Sequence, residues 1–337
     1  MSDHYVVAGE VDPEGLARLR RLVGDARVSV IDAYAPGEPL PDGLGDVSVL
    51  FAGAAPGAPE TLERLDLLQL NSAGFEQLRG SGLPERVRVA NASGVNDVPI
   101  SEWCVMQMLA LHRDLPGMLA DQRSGTWNRA ARYQAELRGM RVGLYGYGGI
   151  AQEVARRSRA LGLEVWVLTR SEPRFRDDKY DPFDRGPDGF PIPDRWFDSD
   201  EKQDFLAGLD VLVLCAPATA STRGFLDAEA LGMLPRDALF LNPARAALVD
   251  MVALREALVR GDLRGAAIDV HVQYPLPPDH WTWTMPRTIV TPHISGSALS
   301  TYCRPRLWDL FCRNVERRLA GGPLLNVVSA ADLALQS

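Results

Sequence analysis

Short apolar runs, mostly β-branched, alternate with longer amphipathic stretches in the first third of the chain. The short runs predict strands at Tyr5–Ala8, Val28–Ile31, Val47–Phe51, Leu67–Leu70 and Val87–Ala90. The stretches between them predict helices, including Pro13–Val23 and Pro59–Leu65. Strands that alternate with helices indicate a parallel sheet covered by helices on both faces.

The pattern changes near Ile100, and a second alternation follows. Ser101–Leu111 is apolar over too great a length for a strand, so it predicts a buried helix. Further strands are predicted at Arg141–Tyr145, Val165–Leu168, Val211–Cys215, Ala238–Leu241, Ala266–Val270 and Thr288–Thr291. Helices such as Ala151–Leu161 and Met251–Arg260 fit between these strands. Six strands with helical crossovers predict a second doubly wound sheet.

Composition excludes several classes of partner. The 337 residues carry a formal net charge of -8 with both signs mixed, which argues against nucleic acid or an anionic membrane as the main partner. The chain has no apolar run that could span a bilayer and no signal-peptide pattern at its start, so we expect a cytoplasmic protein. The cysteines lack metal-ligand spacing and are expected to be free thiols, with no metal site; they are Cys104, Cys215, Cys303 and Cys312.

A glycine-rich turn lies between the predicted strand Arg141–Tyr145 and the helix that follows it. The segment 146–151 reads G-Y-G-G-I-A and matches the pattern G-x-G-x-x-A. Gly146 would allow the tight turn, Gly148 would let the backbone approach a pyrophosphate, and Ala151 would permit close helix packing. Because free N–H groups at a helix N-terminus favour anions, this context predicts a dinucleotide site rather than a simple βα turn. Gly149 and Ile150 complete the predicted phosphate contact.

The end of the next strand bears on the choice between NAD(H) and NADP(H). An acidic residue there would hold the ribose 2′-hydroxyl. Here the strand runs into Thr169, Arg170 and Ser171, which carry no carboxylate but offer a guanidinium and two hydroxyls for a 2′-phosphate. We therefore favour NADP(H), with NAD(H) possible; the alternative is that Arg170 simply faces solvent.

Several ordered sequence blocks in the second half resemble the D-2-hydroxyacid dehydrogenase family, which includes phosphoglycerate, glyoxylate/hydroxypyruvate, formate and phosphite dehydrogenases. The blocks are Val142–Ala151, Leu214–Pro217 with Thr222–Gly224, Leu241–Arg245 with Leu248–Asp250, Gly265–Val270 and Thr291–Gly296. The first third fits more loosely, through Asn71–Gly74 and Gly94–Glu102.

This resemblance implies an α/β fold with two doubly wound parallel-sheet domains. Residues 99–296 would form a Rossmann cofactor domain. Residues 1–98 and 297–337 would form a flavodoxin-like substrate domain, although the sequence does not show that the helix Tyr302–Leu319 returns to it. Ser171–Asp200 is rich in Pro, Asp and Arg and is expected to be a surface excursion with one short element.

The resemblance also implies roles for individual residues. Arg245 would grip the substrate carboxylate and polarise its carbonyl. His293 would be the acid/base, and Asp269 would bind the nicotinamide carboxamide, although a turn cap is the alternative for Asp269. The other substrate contacts expected are Ala73, Gly74 and Asn96. The other cofactor contacts expected are Ala216, Pro217, Ala244 and Gly296.

One departure from the family bears directly on the chemistry. Hydroxyacid dehydrogenases have a glutamate five positions after the strand aspartate, where it pairs with the histidine and raises its pKa. Tyr274 occupies that position here, and Gln273 comes one residue before it. Formate dehydrogenases have a glutamine at the glutamate position, because formate oxidation releases no hydroxyl proton. A neutral partner would orient the imidazole of His293 without stabilising its charge.

Three functions therefore remain open. The first is NADPH-dependent reduction of a 2-oxo acid, with His293 supported by Tyr274 or by another acid. The second is oxidation of a small oxyanion such as formate or phosphite, which needs no strong acid/base. The third is a dinucleotide-binding redox sensor with weakened catalysis, which the joint retention of Arg245, His293 and Asp269 disfavours. Substrate identity is beyond the sequence, apart from a small carboxylate or other oxyanion.

A second copy of the chain is the expected protein partner. The helix Ser101–Leu111 and the stretch Trp127–Tyr133 match the segment through which the family dimerises. An apolar helix with an aromatic extension suits a self-complementary interface. Packing within one chain is the alternative.

Overall fold

The structure is a computed structural model that describes residues 2–24, 26–129, 136–296 and 300–329. Within these residues the strands are β1 (His4–Ala8), β2 (Arg27–Ile31), β3 (Val49–Ala52), β4 (Leu67–Leu70), β5 (Arg88–Ala90), β6 (Arg141–Tyr145), β7 (Glu164–Leu168), β8 (Arg195–Phe197), β9 (Val211–Leu214), β10 (Leu239–Asn242), β11 (Gly265–Ile268) and β12 (Thr288–Val290). The helices are α1 (Pro13–Val23), α2 (Asp97–His112), α3 (Leu115–Ser124), α4 (Gly149–Ala160), α5 (Lys202–Ala207), α6 (Ala228–Met233), α7 (Met251–Arg260) and α8 (Cys303–Leu319).

The first compact unit contains residues 1–95, 176–186 and 298–337. Its parallel sheet has the strand order β2-β1-β3-β4-β5. This is the order of flavodoxin-like folds. The strands are short and apolar because helices and loops cover both faces of the sheet, so nearly every position on β1, β3 and β4 is buried.

Helix α8 lies on this sheet beside α1. The ring of Phe311 stacks on that of Phe51 with 4.6 Å between centroids, and a β-carbon at Gly15 of α1 would lie 2.6 Å from Trp308 Cβ. The buried amide of Asn314 donates to Gln69 Oε1 at 2.8 Å. The first and last parts of the chain therefore share one core, which the sequence left open.

The segment 176–186 belongs to this first unit although β7 and β8, which flank it in sequence, belong to the second. Its Tyr180 is buried, and the phenol donates to Asp309 Oδ2 at 2.9 Å. The Tyr180 N–H donates to Asn326 Oδ1 at 3.1 Å. The boundaries expected from the sequence differ here, because they placed this segment within 99–296 as a surface excursion. The weak periodicity of the segment gave no sign that one of its aromatic residues, Tyr180, is buried.

The second unit contains residues 96–175 and 187–297. Its parallel sheet has the order β12-β11-β10-β9-β6-β7-β8. The order reverses between β6 and β9, and ligands of such sheets bind in the crevice beyond the carboxyl ends of the strands at this point. The expected class of two parallel-sheet α/β domains is confirmed.

Two elements differ from the sequence expectation. Strand β8 was not predicted, because it has three residues of which Arg195 and Trp196 are largely exposed and give no apolar run. The predicted helix Pro59–Leu65 is only a 3-10 turn over Pro59–Thr61. Leu62 and Leu65 nevertheless enter the core of the first unit. No helix in the described parts of the chain is long and apolar enough to cross a bilayer.

Candidate active site

The glycine turn lies at the switch point of the second sheet. Gly146 has φ +89°, and a β-carbon there would lie 3.0 Å from both N and Cα of Ala216. Its N–H donates to Leu168 O at 3.0 Å, which ties the turn to the end of β7. Gly148 has extended backbone, and a β-carbon there would meet nothing within 4 Å. The start of α4 is therefore open to a ligand on the Gly148 side.

The residues around this turn come from the neighbouring strand ends. Ala151 is fully buried under the sheet, and Ile150 packs at the edge of the same core. After β9, the Thr222 hydroxyl donates to Pro217 O at 2.7 Å and fixes the loop that contains Ala216. The turn and this loop adjoin each other at the strand ends where the sequence predicts a dinucleotide site.

The segment after β7 has a partner that the sequence did not reveal. The Thr169 hydroxyl donates to Ser171 O at 2.8 Å and accepts from Trp196 Nε1 at 2.9 Å. Trp196 belongs to β8, the unpredicted strand. Arg170 and Ser171 are exposed beyond it. Because the Thr169 hydroxyl is already engaged, Arg170 and Ser171 are the exposed polar groups that this segment presents.

Arg245 is held by the loop that follows β10. The fully buried side chain of Asn242 donates to Arg245 O at 3.0 Å and accepts from Ala244 N at 3.1 Å. The Arg245 guanidinium donates to Ala244 O at 2.8 Å. Asn242 thus clamps the backbone on both sides of Ala244 and fixes the position from which the guanidinium extends.

Asp269 anchors the turn that bears His293. Its fully buried carboxylate accepts from the Thr291 hydroxyl at 2.6 Å, from Ile294 N at 2.9 Å and from Ser295 N at 2.9 Å. His293 itself has φ +56°, a left-handed conformation that is uncommon for a residue other than glycine. The structure therefore shows Asp269 in the turn-cap role that the sequence analysis kept as its alternative. Three of about four acceptor positions on this carboxylate are used.

His293 lies beside Tyr274. Their ring centroids are 5.3 Å apart at an interplanar angle of 42°, and the Tyr274 hydroxyl accepts from His271 N at 3.0 Å. Desolvation, followed by the nearby charges of Arg245 and His271, lowers the pKa of His293 below 6.5, although Asp269 acts in the opposite direction. The structure thus brings His293 and Tyr274 together, with the charge of Arg245 near enough to act on the imidazole. The imidazole faces an aromatic ring at the position where the family has a carboxylate.

Asn96 lies at the start of α2, close to the end of the His293 turn. A β-carbon at Gly296 would lie 3.5 Å from Asn96 Nδ2. The Asn96 Oδ1 atom is buried and has no hydrogen-bond partner among the described residues. A buried acceptor without a partner is costly, so a ligand that donates a hydrogen bond would be stabilised here.

Ala73 and Gly74 follow β4 in the first unit. The carbonyl of Ala73 accepts from Asn91 Nδ2 at 2.9 Å, and that of Gly74 accepts from the Ser72 hydroxyl at 2.7 Å. Both carbonyls therefore point into the loop that follows β4. The remaining predicted residues lie in the second unit.

Sequence reasoning missed the residues that hold the site together. Asn242 and Thr291 stand inside the matched blocks, yet side chains that bond only to nearby backbone or to a buried carboxylate leave no periodic signal. Their positions, Asn242 as the last residue of β10 and Thr291 directly after β12, were the available clue, because polar residues at the ends of parallel strands meet at one edge of the sheet. In the described residues, no group of three or more His, Cys, Asp and Glu side chains could hold a metal ion.

A comparison with known protein families identifies the family of this chain. The family model described as "D-isomer specific 2-hydroxyacid dehydrogenase, NAD binding domain" matches residues 105–295. The chain belongs to this family. The resemblance found from the sequence blocks is therefore confirmed, and the matched range contains β6 to β12 with Arg245, Asp269 and His293.

Individual dehydrogenases of the family align along most of the chain. A D-isomer specific 2-hydroxyacid dehydrogenase from Xanthobacter autotrophicus Py2, solved with NADPH and MES, has TM-score 0.79 and 26% identity and covers 99% of this chain and 100% of its own. An NADPH-dependent glyoxylate/hydroxypyruvate reductase from Sinorhizobium meliloti, solved with NADP and sulfate, has TM-score 0.76 and 26% identity over all of both chains.

A longer family member shares the same region. The D-3-phosphoglycerate dehydrogenase of Methanocaldococcus jannaschii is 29% identical over 281 residues, which are 81% of this chain and 49% of the relative. The chain thus spans about half the length of that dehydrogenase.

We predict that Tyr274→Glu raises the pKa of His293. A carboxylate beside the imidazole stabilises its protonated form, so an increase on the order of one pKa unit is expected. NMR titration of the His293 ring measures it. Tyr274→Phe is the control, because it keeps the ring and removes only the hydroxyl, and it should leave the titration near that of the wild type. Equal titrations in all three proteins would show that residue 274 does not influence the imidazole.

Proposed function

We propose that this chain catalyses NADPH-linked reduction of a small 2-oxo acid to a D-2-hydroxy acid. The observation that carries this proposal is the grouping of Arg245, His293 and Tyr274 around the ends of β10, β11 and β12. These strand ends border the crevice that begins at the glycine turn. A cation for a carboxylate and an acid/base for an adjacent oxygen are thus available beside the expected nicotinamide position.

The residues of the crevice fit a dinucleotide. The start of α4 offers N–H groups that have no partner within the helix, beside Gly148, where a β-carbon would meet nothing within 4 Å. Arg170 and Ser171 would hold a 2′-phosphate, and Ala216, Pro217 and Ala244 would line the adenosine and nicotinamide portions. The bound cofactor supplies the hydride. Asn96 Oδ1, the buried acceptor without a partner, would accept from a carboxamide or a substrate hydroxyl.

The chain's own residues would then handle the carboxylate and the proton. Arg245 would hold the substrate carboxylate and polarise the neighbouring carbonyl. As hydride reaches the carbonyl carbon, protonated His293 would donate its proton to the carbonyl oxygen, which becomes the hydroxyl. Asp269, by fixing the turn from Thr291 to Ser295, would keep the imidazole in place.

The lowered pKa of His293 sets the pH dependence of this reaction. Reduction requires the imidazolium, whose fraction falls as pH rises through the pKa. Because that pKa lies below 6.5, the rate of reduction should be greatest in mildly acidic solution. Tyr274 adjoins the imidazolium through its ring. An aromatic ring attracts a cation less strongly than a carboxylate does, so Tyr274 supports the protonated form only weakly.

The same observation favours a second candidate function. An imidazole whose pKa is lowered by burial and which lies beside Tyr274 suits hydride removal from formate, phosphite or a similar oxyanion, because no hydroxyl proton has to be managed. Arg245 would hold the oxyanion in this case as well. The NADP-bound reductase and the NADPH-bound dehydrogenase among the relatives support reduction and NADP(H). A redox sensor remains the third candidate.

We infer that the chain forms a homodimer through α2 and α3. Met106, Leu109, Leu115 and Met118 are each exposed by 41–52% and border a groove of about 500 Å³ lined mainly by apolar side chains. Exposed apolar patches of this kind are typical of interfaces. The aromatic stretch Trp127–Tyr133 extends this face in sequence; its residues 130–133 lie outside the described part of the chain.

A substrate screen tests the proposed reaction. Oxidation of NADPH and NADH is followed spectrophotometrically with a panel of 2-oxo acids, and reduction of NADP+ and NAD+ with formate and phosphite. We expect turnover with 2-oxo acids, and Arg245→Ala should abolish it while NADPH binding stays nearly unchanged. Turnover only with formate or phosphite would support the second candidate. Cofactor binding without turnover in either arm would support the sensor, and strong turnover by Arg245→Ala would contradict the role of Arg245.

We predict that Arg170→Asp shifts cofactor preference toward NAD(H). The carboxylate would repel a 2′-phosphate and accept from a 2′-hydroxyl. The ratio of kcat/KM for NADPH to that for NADH measures the change, and we expect it to fall at least tenfold. Arg174→Asp, a charge change in the same exposed segment, is the matched control. Unchanged NADPH affinity in Arg170→Asp would refute the assignment of the ribose site.

We predict that Leu109→Asp converts the dimer to a monomer. A charge in the centre of an apolar interface loses its hydration on association. Sedimentation velocity measures the mass. Val259→Asp is the control, because Val259 on α7 is also exposed but lies outside the groove. A monomeric wild type, or an unchanged mass in Leu109→Asp, would contradict the inferred interface.

A further inference from the structure

A carboxylate lies directly against the first residue of α4. A β-carbon on Gly149 would overlap Asp97 Oδ2 and would lie 2.7 Å from Asp97 Cγ. Asp97 is the first residue of α2, which packs against α4 in the same unit. The side chain therefore fills the space that any residue larger than glycine would take at position 149.

The same carboxylate also lies near the end of β9. Desolvation first, and then the Asp97 charge, raises the pKa of the Cys215 thiol to about 12. Cys215 directly precedes Ala216, whose backbone adjoins Gly146. Asp97 thus lies against the start of α4, and its charge acts on Cys215, just beyond the end of β9.

The start of α4 provides no cap of its own. Its N-cap residue is Gly148, which has no side chain, and its second residue is Ile150. A helix N-terminus favours a nearby anion, because its first N–H groups are unpaired and the helix dipole is positive there. The Asp97 carboxylate lies against this terminus and so supplies an anion there. When a dinucleotide binds, its pyrophosphate requires the same helix terminus.

We propose that Asp97 sets the cofactor affinity by opposing the pyrophosphate at the start of α4. This inference rests on the proposed dinucleotide site. Two anions within a few ångströms of one helix terminus repel each other, so binding must either leave the carboxylate beside the phosphates or displace it from the helix. In both cases the carboxylate weakens the hold on the oxidised and the reduced cofactor alike. A weaker hold speeds cofactor release, a step that limits the turnover of many enzymes.

Asp97→Asn tests the charge at nearly constant volume. Dissociation constants for NADPH and NADP+ are measured by calorimetry, and we expect both to fall about 5- to 50-fold relative to the wild type. The KM for NADPH should fall with them, and kcat should not rise. Asp227→Asn is the matched control, because it makes the same charge change at the N-cap of another helix, α6, and should leave both dissociation constants unchanged.

Thermal unfolding separates this role from a purely structural one. Loss of the anion at the start of α4 should lower the Tm of Asp97→Asn without cofactor, whereas the increase in Tm caused by saturating NADPH should be larger than in the wild type. A structural role alone would lower the first Tm and leave the cofactor-induced increase unchanged. Asp97→Ser provides a second uncharged variant if the asparagine fails to fold.

Gly149→Ala tests the position of the carboxylate independently. The added methyl group overlaps Asp97, so this change should lower the Tm in the wild-type background and have a smaller effect in an Asp97→Ala background. Equal effects in both backgrounds would place the carboxylate elsewhere and overturn the proposal. Unchanged or weaker NADPH binding by Asp97→Asn would overturn it while leaving the dinucleotide site intact. A wild type that binds neither NADPH nor NADH would overturn both.

Discussion

The buried carboxylate of Asp269 is the contact on which the rest of the candidate site depends. It accepts one side-chain and two backbone hydrogen bonds from the segment between Thr291 and Ser295. A fully buried charge is costly unless it is hydrogen-bonded, and here the bonds that satisfy the charge also close the turn. His293 is therefore held in a left-handed conformation that a free loop would rarely adopt. The position of this candidate acid/base is therefore set from the end of β11 rather than by its own loop.

The parallel sheet explains why distant parts of the sequence meet at this place. Successive strands of the second unit end at the same edge, so the glycine turn, the clamp at Asn242 and the Asp269 turn all face one crevice. Strand ends supply fixed starting points, and short loops then present the polar groups. The matched family model covers all three of these strand ends.

Much of the fold could be predicted because its strands are continuous apolar runs bounded by glycine or polar residues. The run at Leu67–Leu70 and the helices Pro13–Val23 and Met251–Arg260 have the predicted bounds. The sequence did not reveal β8, whose exposed Trp196 gives no apolar pattern but binds Thr169. The contact between α8 and the first sheet was equally hidden, because amphipathic periodicity shows that a face is buried without showing what covers it.

Sequence blocks located Arg245, Asp269 and His293, since each follows a strand in a recognisable motif. They could not show that the Asp269 carboxylate caps the histidine turn, or that the Tyr274 hydroxyl turns toward His271 N and leaves its ring against the imidazole. Those facts depend on side-chain direction, which spacing along the chain does not determine.

The segment 176–186 gives the molecule an unusual connectivity. The polypeptide leaves the second unit after Phe175, buries Tyr180 within the first unit, and returns at Pro187. The chain consequently crosses the boundary four times, and neither unit corresponds to a contiguous stretch of gene. A fragment that starts at Asn96 and ends at Ser297 would contain the whole second sheet. It would also contain Tyr180, without the part of the first unit that buries its ring and accepts its hydrogen bonds. Because each unit is made of separate stretches of the sequence, a single recombination event could not exchange either unit for its homologous counterpart.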